Sequence, residues 1–293
     1  MKRTSGMNLC DLKTIKQIMS VYGIKFHKEF GQNFLTDQMV VEDIAEYCCN
    51  GESKTILEIG PGIGTLTAAL AERYERVISL EIDKGLIPVL SYTLDGYKNV
   101  TVINEDVMKA DLEAILSPYF EEGVSVCANI PYYITTPILM KLLESRLPFD
   151  YITLMIQSEV ADRLCAKAGS KDCGAITAVL AYYGEAEKLF TVPADRFVPP
   201  PKVNSSVVRI HLYKEPPRKP LDEALFFKVI KAAFEQRRKT LLNALSFAFP
   251  NVEKELLAAV IEEGGHRPDI RGEKLDVNMF IDLSDRLSKI INK

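Results

Sequence analysis

Hydrophobic and polar positions alternate in blocks along this chain. A short apolar run, Thr55–Ile59, predicts a strand of a parallel sheet buried on both faces. Helical spacing follows over Thr65–Arg73, then a second strand at Val77–Asp83 and a third at Val100–Asn104. Further strands are predicted at Ser125–Ala128 and Tyr151–Gln157, and strand–helix alternation of this kind is the signature of a doubly wound α/β sheet. Beyond it the pattern predicts helices at Ser158–Ala166 and Ala175–Tyr182 and strands at Glu187–Val192 and Ser206–Leu212. No crossover helix fits between those last two strands, so they are read as an antiparallel pair at one edge. Everything after 220 reads as helix: Glu223–Gln236, Lys239–Phe247, Val252–Glu262 and Val277–Ile291. Upstream, helices are predicted at Leu12–Tyr22 and at Asp37–Cys48, the second with Asp37 as its N-cap.

This pattern divides the chain into a loosely attached basic leader (1–25), an α/β domain (26–214) and a small all-α domain (215–293) that starts at the proline-rich stretch 215–220. No apolar run is long enough to span a membrane and no apolar signal core opens the chain, so a cytoplasmic protein is expected. The six cysteines lack metal-ligand spacing, and no metal is called for. Net charge is −4, yet residues 196–239 carry eleven Lys or Arg against Glu215, Asp222, Glu223 and Glu235. A local basic surface of that kind binds phosphates whatever the global sum, or is simply a solvated face.

The chemistry collects at the carboxyl ends of the strands, where open α/β sheets bind their ligands. Gly60, Gly62 and Gly64 form a Gly-x-Gly-x-Gly turn between the first strand and a helix start, which favours polar or anionic ligand atoms. Its spacing differs from the dinucleotide fingerprint. Glu81 ends the next strand and is placed to hold a ribose diol; Glu105 and Asp106 end the third. In the stretch Gln32-Asn33-Phe34-Leu35, either Gln32 and Asn33 lie over the glycine turn and close the site, or Phe34 and Leu35 merely staple the following helix to the core. After the fourth strand comes Asn129-Ile130-Pro131-Tyr132. An amide oxygen and a carbonyl freed by proline suit a planar exocyclic amine on a base, and Tyr132 suits its face. Phe197, before Pro199-Pro200-Pro201, is either the opposite wall of such a pocket or the anchor of a rigid edge loop. Arg237, Arg238 and Lys239 lie between two predicted helices and offer phosphate contacts or complement a helix terminus.

Taken in order, Gln32–Leu35, Leu57–Gly64, Glu81, Glu105-Asp106, Asn129–Tyr132, Phe197–Ser205 and Gln236–Thr240 resemble the ribosomal RNA adenine dimethyltransferases, most closely those of small-subunit 16S rRNA. Glu105 departs mildly from that pattern, since glycine often precedes the aspartate. The resemblance implies a Rossmann-like methyltransferase sheet, S-adenosylmethionine as methyl donor, and dimethylation of two adjacent adenosines in a loop near the 3′ end of 16S rRNA. It further implies roles for individual residues. Gly60 accommodates the methionine part, Asn33 and Leu35 cover the donor, Glu81 holds the ribose and Asp106 the adenine amine. Asn129 lies between the methyl group and a flipped base clamped by Tyr132 and Phe197, and Arg237, Arg238 and Lys239 hold RNA. A monomer suffices for this. The competing readings are a large-subunit adenine methyltransferase of the antibiotic-resistance type and a non-catalytic RNA-binding assembly factor.

Overall fold

The computed structural model describes residues 7–24, 33–49, 53–236 and 238–291. They form two compact units. The first holds the described residues up to Ala161 together with Glu187–Leu212; the second holds Asp162–Ala186 and those from Tyr213 onward.

In the first unit, α1 (Leu12–Val21) precedes a two-residue strand, β1 (Phe34–Leu35), and α2 (Gln38–Cys48). Asp37 caps α2, accepting from the backbone N–H groups of Met39 and Val40. The main sheet then builds through β2 (Thr55–Ile59), α3 (Thr65–Ala71), β3 (Arg76–Leu80), α4 (Ile87–Thr93), β4 (Val100–Ile103), α5 (Leu112–Leu116), β5 (Val124–Asn129), α6 (Thr135–Glu144) and β6 (Phe149–Gln157). The chain then runs through α7 (Ser158–Leu164), where the first unit gives way to the second, and α8 (Ala175–Tyr183) of the second unit, before β7 (Gly184–Val192), the short β8 (Phe197–Val198) and β9 (Ser205–Leu212). Seven strands lie in the order β4-β3-β2-β5-β6-β9-β7. β4 through β6 pair in parallel, whereas β9 runs antiparallel to β6.

All five residues of β2 are buried, as a central parallel strand requires. On one face, Ile56, Val77 and Cys127 of adjacent strands pack under Val41, Ile44 and Ala45 of α2 and Leu66 and Leu70 of α3. β1 is not in this sheet. It pairs with β8 as a separate antiparallel ribbon, Phe34 opposite Val198 and Leu35 opposite Phe197.

The N-terminal helix corrects one expectation. Residues 9–24 are no loose leader: Leu9, Ile15, Ile18 and Met19 are buried with Ile63, Leu86, Val89 and Leu90. The apolar positions 15, 18, 19 and 22 recur at helical spacing, and that stripe is what seats α1 beside α4.

In the second unit, α9 (Glu223–Glu235), α10 (Leu241–Ala248), α11 (Lys254–Glu263) and α12 (Val277–Ile291) form a helical bundle, with Val229, Leu245, Leu257 and Phe280 in its core. α8 belongs with them, because Tyr182 packs on the rings of Phe226 and Phe227. No helix among the described residues is long and apolar enough to cross a membrane.

Candidate active site

β2 stops at Ile59 and the backbone turns through Gly60, Gly62 and Gly64, all at positive φ. At Gly62 (φ +60°) a Cβ would stand 3.1 Å from the Phe34 ring, and at Gly64 (φ +90°) 3.1 Å from Thr93 and Leu94. Side chains at these two positions are thus disfavoured by both conformation and space, and the turn delivers bare backbone to the cavity above it. Gly60 extends the ladder by donating to the carbonyl of Leu80 at 3.0 Å.

Glu81 follows β3 and is 4% exposed. Its carboxylate ties two turns together, accepting from the Asp83 N–H at 2.7 Å and from the Gly62 N–H at 3.3 Å. Burial nevertheless dominates and pushes its pKa up to about 7, with Asp83 adding repulsion and the two N–H donors opposing. Beneath it lies a second buried carboxylate, Glu58 of β2, directly across the parallel register from Ser79, whose hydroxyl donates to it at 2.8 Å. Desolvation pushes Glu58 up to about 7 as well, and the charge of Glu81 adds to the shift. Asp106, beyond β4, is half-buried and accepts from the Met108 N–H at 2.9 Å.

β5 ends at Asn129, whose Nδ2 lies 3.5 Å from the Asn33 carbonyl, a long contact that leaves Oδ1 as the acceptor the amide has to offer. After Pro131 a single 3₁₀ turn carries Tyr132, Tyr133 and Ile134. The Tyr132 hydroxyl shares a hydrogen bond with Ser205 Oγ at 2.7 Å, which pins the ring, and burial raises its pKa against that bond. Phe197, 2% exposed, comes from β8 and is backed by Leu35, Val192 and Val207.

One cavity is lined by Asn33, Leu35, Gly60, Glu81, Asp106, Asn129, Tyr132 and Phe197. Eight candidates scattered over 165 positions of sequence therefore share one wall system. Arg238 and Lys239 are exposed in the turn between α9 and α10 of the second unit and do not line it; Arg237 and Gln32 lie outside the described residues. Glu58, Ile82 and Tyr133 also line the cavity, and sequence reasoning assigned them no role. For Glu58 the signal was there: a carboxylate inside an otherwise apolar buried strand needs a reason.

Three comparisons bear on this site. A family model described as ribosomal RNA adenine dimethylase matches residues 23–275. A ribosomal RNA small subunit methyltransferase A from Bacillus mycoides (strain KBAB4) is 48% identical over 277 residues, spanning 93% of this chain and 94% of its own length. Among solved structures, a dimethyladenosine transferase from Plasmodium falciparum superposes with a TM-score of 0.70 at 26% identity, covering 85% of this chain and 95% of its own. The 23S rRNA methyltransferase ErmE gives 0.68 at 26% identity, with 87% and 100% covered.

Proposed function

The chain belongs to the ribosomal RNA adenine dimethylase family, and from that premise we propose that it dimethylates N6 of two adjacent adenosines in a loop near the 3′ end of 16S rRNA, using S-adenosylmethionine, during small-subunit assembly. The small-subunit assignment is supported by 48% identity to a small subunit methyltransferase A over 93% of this chain.

One observation carries the site reading: carboxylates, glycine backbone, amide and aromatics from four strand ends and the β1–β8 ribbon line a single cavity. Its acceptor set fits a nucleoside carrying a cationic tail. Glu81 accepts from a ribose diol, Asp106 accepts from an adenine amine, and Gly60 leaves room for the methionine part. Asn33 and Leu35 cover that half. S-adenosylmethionine, when bound, supplies an electrophilic methyl group. Asn129 Oδ1 and the neighbouring main-chain carbonyl accept hydrogen bonds from the two N–H groups of the target amine and so orient its lone pair within the cavity. The same acceptors stabilise the positive charge that develops on nitrogen. Tyr132 and Phe197 hold the base, each such stack contributing ~1–3 kcal/mol. Flipping costs least for a base already in a loop, which agrees with a hairpin-loop target. Arg237, Arg238 and Lys239, in the C-terminal region 215–293, contact the RNA backbone, and the protein acts as a cytoplasmic monomer.

The test is methyl incorporation from labelled S-adenosylmethionine into small subunits that lack adenine dimethylation, with Asn129→Ala beside wild type. Reverse-transcription stops at two adjacent adenosines, lost in the variant, are expected. Label confined to large-subunit RNA, or no transfer at all, overturns the proposal.

A further inference from the structure

Tyr132 and Tyr133 are chemically alike and adjacent in sequence, yet the structure treats them in opposite ways. A 3₁₀ turn has about three residues per turn, so consecutive side chains leave it about 120° apart. Tyr132 is turned inward and pinned to Ser205. Tyr133, the next residue on the same turn, lines the same cavity but is 63% exposed. Pro131, with φ −55°, fixes the entry to the turn, and Ile130, 2% exposed, roots the segment in the core. A rigid base thus presents one aromatic ring to the cavity interior and a second to solvent at its mouth.

The RNA side of this geometry follows from the extrusion itself. A base leaving a stack exposes one π-face of the base that stays beside it. An aromatic ring one residue from the clamp is placed to cover that face; stacking of this kind needs only a π-face, and a two-ring base offers a larger one than a single-ring base. We propose that Tyr133 stacks on the nucleobase adjacent to the flipped adenine, so that, with two adjacent targets, the adenosine awaiting reaction is held at the mouth while its neighbour occupies the cavity. This assignment rests on the function proposed above and deepens it. Tyr132 grips the reacting base; Tyr133 reads the presence of its neighbour.

The stack forms in the ground-state complex as well as at the transition state, so its loss appears in KM and leaves kcat little changed. The experiment measures methyl transfer to unmodified small subunits by wild type, Tyr133→Ala, Tyr133→Phe and Tyr133→Trp. It is repeated on subunits reconstituted with 16S rRNA in which one of the two adenosines is replaced by uridine. Tyr133→Ala is expected to lower kcat/KM about tenfold on the natural sequence, near the lower end of what a base–aromatic stack contributes. Phe and Trp restore it, while the thermal midpoint and S-adenosylhomocysteine affinity stay at wild-type values. On the uridine-bearing subunits wild type falls toward the alanine variant and the alanine variant loses little more, the non-additivity that marks two partners of one contact. Tyr133→Ala within twofold of an active wild type, or equal losses on both kinds of subunit, overturns the stacking assignment alone. A wild-type protein that transfers no methyl group to any subunit overturns the function proposed above, and this assignment with it.

Discussion

Leu35 lies directly opposite Phe197 across the β1–β8 ribbon, although the two are 162 positions apart in the chain. The pairing is reinforced just outside it. Thr36 donates to the Arg196 carbonyl through both its N–H (2.9 Å) and its hydroxyl (3.0 Å), and the Arg196 guanidinium reaches Asp37 at 2.9 Å. The covering residue of the proposed cofactor half and the wall of the proposed base half are therefore one mechanical piece. A disturbance at either residue is felt at both halves of the cavity.

Phe197→Ala is accordingly expected to weaken binding of S-adenosylhomocysteine as well as methyl transfer, although Phe197 is assigned to the base and not to the cofactor. Emptying a site that is 2% exposed costs about 3 kcal/mol of stability, read from urea unfolding. Calorimetric titration checks the coupling: affinity equal to wild type in a folded Phe197→Ala protein would show the two halves to be independent.

The hydroxyl that pins Tyr132 separates the ring's position from its chemistry. Tyr132→Phe keeps the stacking surface and loses the 2.7 Å bond to Ser205, so about a three- to tenfold loss in kcat/KM is expected for one hydrogen bond. Ser205→Ala removes the same bond from the other side and should cost a similar amount. The double variant is expected to be no worse than either single one. Fully additive losses would mean that the two residues act separately.

Most of the α/β sheet was legible because each parallel strand is centred on a compact apolar run and each helix is a period that neighbours it. The ribbon was not. β1 and β8 have two residues each and no local pattern, and they exist because distant segments meet over the cavity. The packing of α1 was hidden for a different reason. Lys13 and Lys16 made the segment read as a basic leader, while the stripe at 15, 18, 19 and 22 was the part that decided its place. At the site, Glu81, Asp106 and Asn129 were readable because strand ends in a parallel sheet converge on one edge. The contrast between Tyr132 and Tyr133 was not, since only the 3₁₀ turn distinguishes two identical side chains. Likewise α8 reads as part of the α/β domain by position, and only the rings of Phe226 and Phe227 place it with the second unit.

The glycine turn makes a sharp prediction at Gly62. An alanine there must hold φ near +60° and also sits 3.1 Å from the Phe34 ring, so Phe34 has to shift. The backbone conformation alone costs an L-residue about 1–2 kcal/mol. Because Phe34 belongs to the ribbon and Gly62 donates to Glu81, the variant is expected to lose cofactor affinity beyond its loss of stability. Equal stability and equal S-adenosylhomocysteine affinity in Gly62→Ala would remove the turn from the binding site.

Glu81 and Glu58 give the protein opposite pH dependences when free and when binding. Both carboxyls are pushed up to about 7 from an ordinary value of 4.5, chiefly by burial, with Asp83 and Glu81 respectively adding like charge. The folded state therefore holds protons that the unfolded chain has released between about pH 4.5 and 7, and stability falls as pH rises through that window. Urea midpoints of the free protein should decline from pH 5.5 to 8, and Glu58→Gln should flatten that decline. Binding runs the other way. A ribose diol donates two hydrogen bonds, which an ionised carboxylate accepts and a protonated one only in part. S-adenosylhomocysteine affinity is thus expected to rise by at most about tenfold per unit below pH 7 and to level off above it. Glu81→Gln should bind weakly at every pH and show no rise. A titration by calorimetry from pH 5.5 to 8.5 decides the matter: affinity that is flat in the wild type would mean that Glu81 does not hold the ribose through its charge.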